Sequence, residues 1–307
     1  MKQIVFLVLI FSTYLSFSQN RITDTTATCI AFWNKGEKKI YQISHNKEKY
    51  FKGDTKLNVE VKYEAHINII DSLKDGYIID WRFKNFKSSE EDKTVNGGMN
   101  EIMEGLTIKY KIDDVGAFAE LLNWKEVRDY AFNSIDKMVK EKPTGSAFNN
   151  LLSQTRKMFE TRENIEAVLI KEVQLFHTPY GVEYNFTGVE AETELPNVSG
   201  GEPFPARITI KLDKINAKEN YCTVSLNQII DKGKAGPIIL SFMKKMAGYD
   251  LNKINPNNKT LEEMEISDVN EFTYALDTGW ITKLIYKRTL NVLDTKQIET
   301  YQFVVVK

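Results

Sequence analysis

The chain has 307 residues, of which 42% are hydrophobic and 27% charged, and its formal net charge at pH 7 is −1. A balance this near to neutral argues against a nucleic-acid partner, or an anionic membrane surface, held by bulk charge. After the first residues, nothing approaches the run of about 20 apolar residues that a membrane-spanning helix needs.

Residues 1–18 have the features of a cleaved export signal. Lys2 supplies a minimal basic start, residues 4–11 form a short apolar core, and Ser16-Phe17-Ser18 offers small residues where a signal peptidase reads them. We therefore expect cleavage before Gln19 and a periplasmic or secreted protein. Residues 19–307 are expected to form a single β-rich domain with a central helical segment at about 123–178.

The clearest structural pattern lies at residues 57–69, where odd positions are apolar or aromatic and even positions are polar. Unbroken alternation of this kind predicts a strand with one buried face, much longer than the usual five or six residues. Lys74-Asp75-Gly76 then predicts a hairpin turn, because Asp-Gly supplies the positive φ of a primed turn. Alternation resumes over residues 77–83, and weaker patterns predict strands at 29–33, 39–50 and 106–112.

The middle of the chain changes to a helical period. Asn123, with Glu126 three residues later, resembles a helix N-cap with its reciprocal partner, and apolar residues follow at helical spacing up to Met138. A second helix is predicted from Ser146 to Phe159. A third is predicted over 165–176, although the apolar residues of that stretch also fit a strand.

Strand patterns return in the last part of the chain, at 182–186, 208–212 and 222–226. Residues 195–206 contain three prolines and two glycines, which predicts an extended loop. A short helix is expected after Gly236-Pro237, and residues 272–305 predict a closing antiparallel meander. The predicted fold is therefore α+β: a large, curved, half-barrel-like antiparallel sheet with the central helices over its apolar face.

The closing hairpin at Leu276-Asp277-Thr278-Gly279-Trp280, followed by two long strands, resembles the way sheets end in the LolA, LolB and RseB group of periplasmic proteins. It is also similar to uncharacterised exported proteins of Gram-negative bacteria. The resemblance implies a hydrophobic space between sheet and helices that holds an acyl chain or a lipid-modified partner. It carries over no individual ligand-contacting residue.

Residues that suggest catalysis are few. The three histidines are not spaced like metal ligands, and no cofactor-binding motif is recognisable, so we expect neither a metal nor a cofactor. Ser199-Gly200-Gly201 is the one small-residue cluster with the character of a nucleophile or anion site, but it lacks the Gly-x-Ser-x-Gly context. A structural corner is the simpler interpretation, and we expect a protein that is not an enzyme.

Six aromatic residues lie in the apolar phase of their predicted strands and either pack in the core or line a cavity for an apolar ligand. They are Trp81, Phe83, Tyr110, Tyr184, Trp280 and Tyr286. The two cysteines, Cys29 and Cys222, either pair in a disulfide, as an exported protein allows, or remain separate buried thiols. The apolar phase of Cys222 favours separate thiols.

Two functions follow from these patterns, and a third is more remote. The first is a non-enzymatic envelope protein that binds a hydrophobic ligand or a lipidated partner between sheet and helices. The second is an interaction or scaffold protein with a solid core, acting through loops 88–98 and 195–206. The third is a hydrolase that uses Ser199.

Overall fold

A computed structural model describes residues 22–89, 100–141, 153, 156–157, 159–168, 170–195, 202–236, 238–239, 264–292 and 294–306. Within these ranges the strands are β1 (Thr26–Thr28), β2 (Lys38–Phe51), β3 (Asp54–Leu73), β4 (Gly76–Ser88), β5 (Thr107–Ile112), β6 (Phe118–Leu121), β7 (Glu183–Asn185), β8 (Val189–Leu195), β9 (Phe204–Asn216), β10 (Tyr221–Ile230), β11 (Glu265–Ala275), β12 (Ile281–Val292) and β13 (Thr295–Val305). The longer helices are α1 (Trp124–Glu141), α2 (Arg162–Val168) and α3 (Lys171–His177).

Eleven of the strands form one antiparallel sheet in the order β6-β5-β4-β3-β2-β13-β12-β11-β10-β9-β8. Strands β2 to β6 form one meander and β8 to β13 form another. The two meanders join where β2 pairs with β13, so strands from both ends of the chain meet in mid-sheet. The sheet is open, with β6 and β8 as its edges, while β1 and β7 form a separate two-stranded ladder.

The long predicted strand is confirmed as β3, which is 20 residues long. Burial alternates along it as the sequence predicts, because successive side chains of a strand point to opposite faces. The predicted hairpin at Lys74-Asp75-Gly76 is present, but its turn residues are Lys74 and Asp75: Gly76, with a φ of +137°, pairs with Leu73 as the first residue of β4. The buried positions on β3 are Val59, Val61, Tyr63, Ala65, Ile67 and Ile69.

The central helices cover the apolar face, which confirms the predicted α+β fold class. The buried residues of α1 are those that the helical spacing predicts, namely Val127, Ala131, Ile135 and Met138. In α3, Phe176 places its ring 5.1 Å from that of Tyr41 and 5.5 Å from that of Trp81, at tilts typical of edge-on packing. No helix within the described ranges is long and apolar enough to cross a membrane.

Three local predictions differ from the structure. Residues 29–33 are not a strand but an extended segment whose backbone bonds go to Val182 and Val115 instead of to a sheet neighbour. The third helix is two helices, α2 and α3, interrupted at Ile170. Asn123 does not cap α1 with its side chain, because its amide binds the backbone of Thr107 and Lys109 on β5.

Strands β6 and β8 were not expected from the sequence. Both lie at the sheet edges, and β8 alternates its three glutamates with Val189, Ala191 and Thr193 in a pattern without a strong apolar face. Most of the predicted second helix, most of the helix after Gly236, and the greater part of both long loops lie outside the described residues.

Candidate ligand site on the inner face of the sheet

Four charged residues form a row across the inner, helix-facing side of the sheet. Asp268 on β11 is opposite Arg288 on β12, Arg288 is opposite Glu299 on β13, and Glu299 is opposite Lys47 on β2. On its strand, each of the four lies an even number of residues from buried apolar residues and therefore points to the same face, so the row faces inward. Signs alternate from strand to strand, which is the favourable arrangement for opposite side chains. We call these four residues the charged row.

The charged row separates two apolar clusters on this face. The large cluster lies beneath the helices and extends from the row to the start of β12. The small cluster lies on the other side of the row, and its members on the central strands are Ile230, Ile266, Leu290 and Val292. The row is therefore the polar boundary between two apolar surfaces.

Glu299 is the centre of the row's hydrogen bonding. Its Oε1 is 2.9 Å from Nε2 of His45, and its Oε2 accepts a 2.5 Å hydrogen bond from Nζ of Lys171 on α3. Burial alone raises the pKa of Glu299, but the hydrogen bond from His45 and the charge of Lys171 outweigh it and hold this pKa well below its usual range. Glu299 is therefore ionised at any physiological pH.

Lys171 connects helix α3 to the charged row. Its Nζ lies 4.8 Å from the ring centroid of Tyr286 and 5.1 Å from that of Tyr301, within cation–π range. The next residue, Glu172, accepts a 2.9 Å hydrogen bond from the hydroxyl of Tyr63 on β3. Burial raises the pKa of Glu172 above its usual value. Two adjacent residues at the start of α3 thus fasten the helix to strands on both sides of β2.

Asp268 and Arg288 form the most enclosed pair of the row. The Asp268 carboxylate lies 3.4 Å from Nε of Arg288, and their side chains are only 9% and 12% exposed. Burial raises the pKa of Asp268, and the charge of Arg288 opposes that rise. Lys171 and Lys47 are 30% and 43% exposed, so the cations that a ligand in solution meets lie at the β13–β2 end of the row.

The opposite end of the inner face is closed by aromatic rings. Trp33, from the extended segment after β1, stacks on Trp280 with centroids 4.1 Å apart, and it contacts Tyr180 and Tyr77 edge-on or tilted. Nε1 of Trp33 and the hydroxyl of Tyr180 both donate to the carbonyl of Gly279. We call Trp33, Tyr77, Tyr180 and Trp280 the aromatic plug.

The six aromatic residues predicted from the sequence are all buried on this side of the molecule, but they do not form one site. Trp81 and Phe83 pack against one another and against neighbouring rings, and Trp280 belongs to the plug. Tyr110 donates to Nε2 of His177, and Tyr184 donates to the carbonyl of Pro179 near the β1–β7 ladder. Of the six, Tyr286 alone lies beside the charged row, with its ring under Lys171.

Each of the three histidines has a side-chain partner. His45 contacts the carboxylate of Glu299, His66 that of Glu64, and His177 contacts the Tyr110 hydroxyl and a backbone carbonyl. Among the described residues no group of three His, Cys, Asp or Glu side chains is placed to hold a metal. Ser199, Gly200 and Gly201 lie outside the described residues. Cys29 and Cys222 are buried free thiols.

The charged row was missed by sequence reasoning, although a signal for it exists. Asp268, Arg288 and Glu299 each interrupt the apolar phase of an otherwise alternating strand: Asp268 shares the parity of Phe272, and Glu299 that of Tyr301. A charge in a buried phase is costly unless paired, so three such charges on consecutive strands predict a paired cluster.

No protein-family model and no curated protein matches the chain. Eight solved chains match in structure. One, described as lipid-protein interactions in lipovitellin, has a TM-score of 0.42 and 10% sequence identity, and the match covers 90% of this chain but only 26% of that one. A likeness this weak supports no conclusion about function. None of these comparisons adds support for membership of the LolA, LolB and RseB group.

Proposed function

We propose that this protein is a non-enzymatic, exported envelope protein that binds the acyl chain of a lipid or of a lipidated partner between sheet and helices. The observation that carries the proposal is the charged row, a polar boundary that lies between two apolar clusters. An amphipathic molecule fits such a boundary, with its chain against the large cluster and its polar end beside Lys171 and Lys47.

The helical cover next to the row is short, which supports entry there. Helix α3 has seven residues, and its buried side chains are Val173, Phe176 and His177. An acyl chain that enters beneath it gains about 0.8 kcal/mol for each methylene removed from water, enough to offset a local displacement. Lys171 then exchanges part of its contact with Glu299 for the anionic end of the ligand.

Export is the second part of the proposal. It is supported by the signal-peptide pattern of residues 1–18 and by the resemblance of the closing hairpin to the LolA, LolB and RseB group. Expression of the full chain in a Gram-negative host, followed by N-terminal sequencing of the periplasmic fraction, tests it. We expect a mature N-terminus at Gln19, and an uncleaved cytoplasmic product would contradict export.

Ligand binding is tested by mass spectrometry of lipid extracted from the purified protein and by titration with a fluorescent fatty acid. Lys171→Gln should weaken probe binding at least about tenfold, because one charge-assisted hydrogen bond is worth about 1.5–3 kcal/mol. The matched control is Lys287→Gln, the same change on the outer face of β12, which should leave binding unchanged. A folded protein with neither co-purified lipid nor probe binding would refute the proposal.

The solid-core alternative is favoured by one observation: Trp81 and Phe83 are fully buried and in contact with neighbouring rings. In that case the function lies in loops 88–98 and 195–206. Deleting either loop should abolish partner capture while the midpoint of thermal unfolding stays nearly constant. The remote hydrolase hypothesis predicts that Ser199→Ala abolishes hydrolysis of an ester panel.

A further inference from the structure

The extended segment that carries Cys29 is fixed over the inner face by backbone bonds. The Cys29 N–H donates to the carbonyl of Val182 at 3.3 Å, and the Cys29 carbonyl accepts from the N–H of Gly181 at 2.8 Å. Cys29 is fully buried, as are Ala31 and Trp33 farther along the segment. The position of Cys29 is therefore fixed by hydrogen bonds from both its backbone N–H and its carbonyl.

Cys222 lies directly beneath this segment. It is on β10 opposite Tyr274 of β11, and the hydroxyl of Tyr274 donates to the carbonyl of Ile30 at 2.7 Å and accepts from its N–H at 3.2 Å. The residue that follows Cys29 is thus bound to the residue that pairs with Cys222. The bonds between Tyr274 and Ile30 therefore hold the two cysteine-bearing segments side by side, although 192 residues separate the cysteines in sequence.

The two thiols are neighbours in the core. Cys29 and Cys222 are both fully buried, and Cys222 lies near enough to Cys29 to affect the pKa of its thiol. Burial, and then the neighbouring Cys222, raise the pKa of the Cys29 thiol well above its usual value. Since the thiolate is the reactive form, the folded pair is protected from reagents in solution, and exchange must occur while the chain is still folding.

We propose that Cys29 and Cys222 form a disulfide when the protein folds in an oxidising compartment. One thiolate attacks a small-molecule disulfide such as oxidised glutathione and releases one reduced glutathione; the second thiolate then displaces the other glutathione from the mixed disulfide. The two cysteines lose two protons and two electrons, and oxidised glutathione becomes two molecules of reduced glutathione. The new bond fastens the segment bearing Trp33 to β10 and locks the aromatic plug in place.

The test is to refold the full chain in a glutathione redox buffer, block remaining thiols after denaturation, and map the non-reduced peptides by mass spectrometry. We expect one species with no free thiol, lighter than the reduced chain by two hydrogen atoms, with a linked peptide containing Cys29 and Cys222. Two alkylated cysteines, glutathione adducts, or chains linked to one another would each overturn the proposal.

Thermal unfolding supplies a second measurement. The oxidised protein should unfold about 5–10 °C above the same protein in excess reductant, because the bond restricts a very long loop of the unfolded chain. The control is the double variant Cys29→Ala, Cys222→Ala, whose unfolding midpoint should not respond to reductant. An equal response of the wild type and the double variant would show that no disulfide is involved.

Discussion

His177 is an example of a histidine kept neutral by its surroundings. Its Nδ1–H donates to the carbonyl of Gly116 at 2.8 Å, and its Nε2 accepts from the hydroxyl of Tyr110 at 2.9 Å. Burial lowers the pKa of His177 to about 4, and the bond to Gly116 opposes that fall only in part. The ring is therefore a fixed structural link between α3, β5 and the turn before β6.

This pKa predicts a pH-dependent stability. Between pH 6.5 and 4 the unfolded chain binds a proton at His177 and the folded chain does not, so acidification favours unfolding. Lowering the pH from 7 to 4 should therefore reduce the free energy of unfolding by about 3 kcal/mol through His177. Urea unfolding across this range should show a smaller loss in His177→Gln than in the wild type. A variant that is less stable by the same amount at every pH would show that His177 contributes packing alone.

Gly279 and Gly53 form a matched pair that separates backbone strain from crowding. Both have positive φ, +70° and +84°, but a Cβ on Gly279 would lie 2.7 Å from the Phe32 ring, whereas one on Gly53 would meet nothing within 4 Å. Gly53→Ala should cost about 1–2 kcal/mol of unfolding free energy, from φ alone. Gly279→Ala should cost clearly more in the same urea titration. Equal costs would mean that Phe32 moves aside freely.

At the scale of elements, the sequence predicts the position and buried face of a strand or helix best where that face is purely apolar. The alternation on β3 predicts its location and its inner face, and the spacing on α1 predicts all four of its buried residues. Prediction fails where bonding is non-local. Residues 29–33 read as a strand because they are apolar, yet their backbone partners are loop residues far along the chain. Asn123 likewise binds β5, a contact that no local pattern contains.

Substitutions on the two faces of β3 should differ greatly in their effect on the free energy of unfolding. Ile67 is 1% exposed in the large cluster, so Ile67→Ala should lower the free energy of unfolding by about 2–5 kcal/mol. Lys62→Ala, on the outer face of the same strand, should change it by less than about 0.5 kcal/mol. The two variants are compared by denaturant unfolding, and similar costs would contradict the assignment of faces.

At the scale of the whole molecule, the two meanders are united by the pairing of β2 with β13. The sequence predicts most strands of both meanders, and the closing hairpins of residues 272–305, but not this junction, because the two strands have no shared pattern that marks them as partners. The charged row crosses the junction, since Glu299 and Lys47 are on either side of it. The candidate site is therefore assembled only when both halves of the sheet are joined.

A proline in β13 tests the junction. Thr300 has neighbours on both sides, Lys287 on β12 and Asn46 on β2. Thr300→Pro should cost on the order of 3 kcal/mol, because proline removes a backbone donor from a central strand and restricts φ. Thr300→Ala keeps the donor and should be well tolerated. Both are followed by circular dichroism during thermal unfolding, and a stable proline variant would place β13 at an edge.

The junction also has a consequence in time. Strand β2 ends at Phe51, and its neighbour β13 begins only at Thr295, so a ribosome adding about 5–20 residues per second needs roughly 10–50 s to supply that neighbour. During this interval one side of β2 has unsatisfied backbone groups, the feature through which nascent chains stick to one another. The charged side chains of Lys47, Glu48 and Lys49, which break the apolar pattern at that strand's end, oppose such premature association.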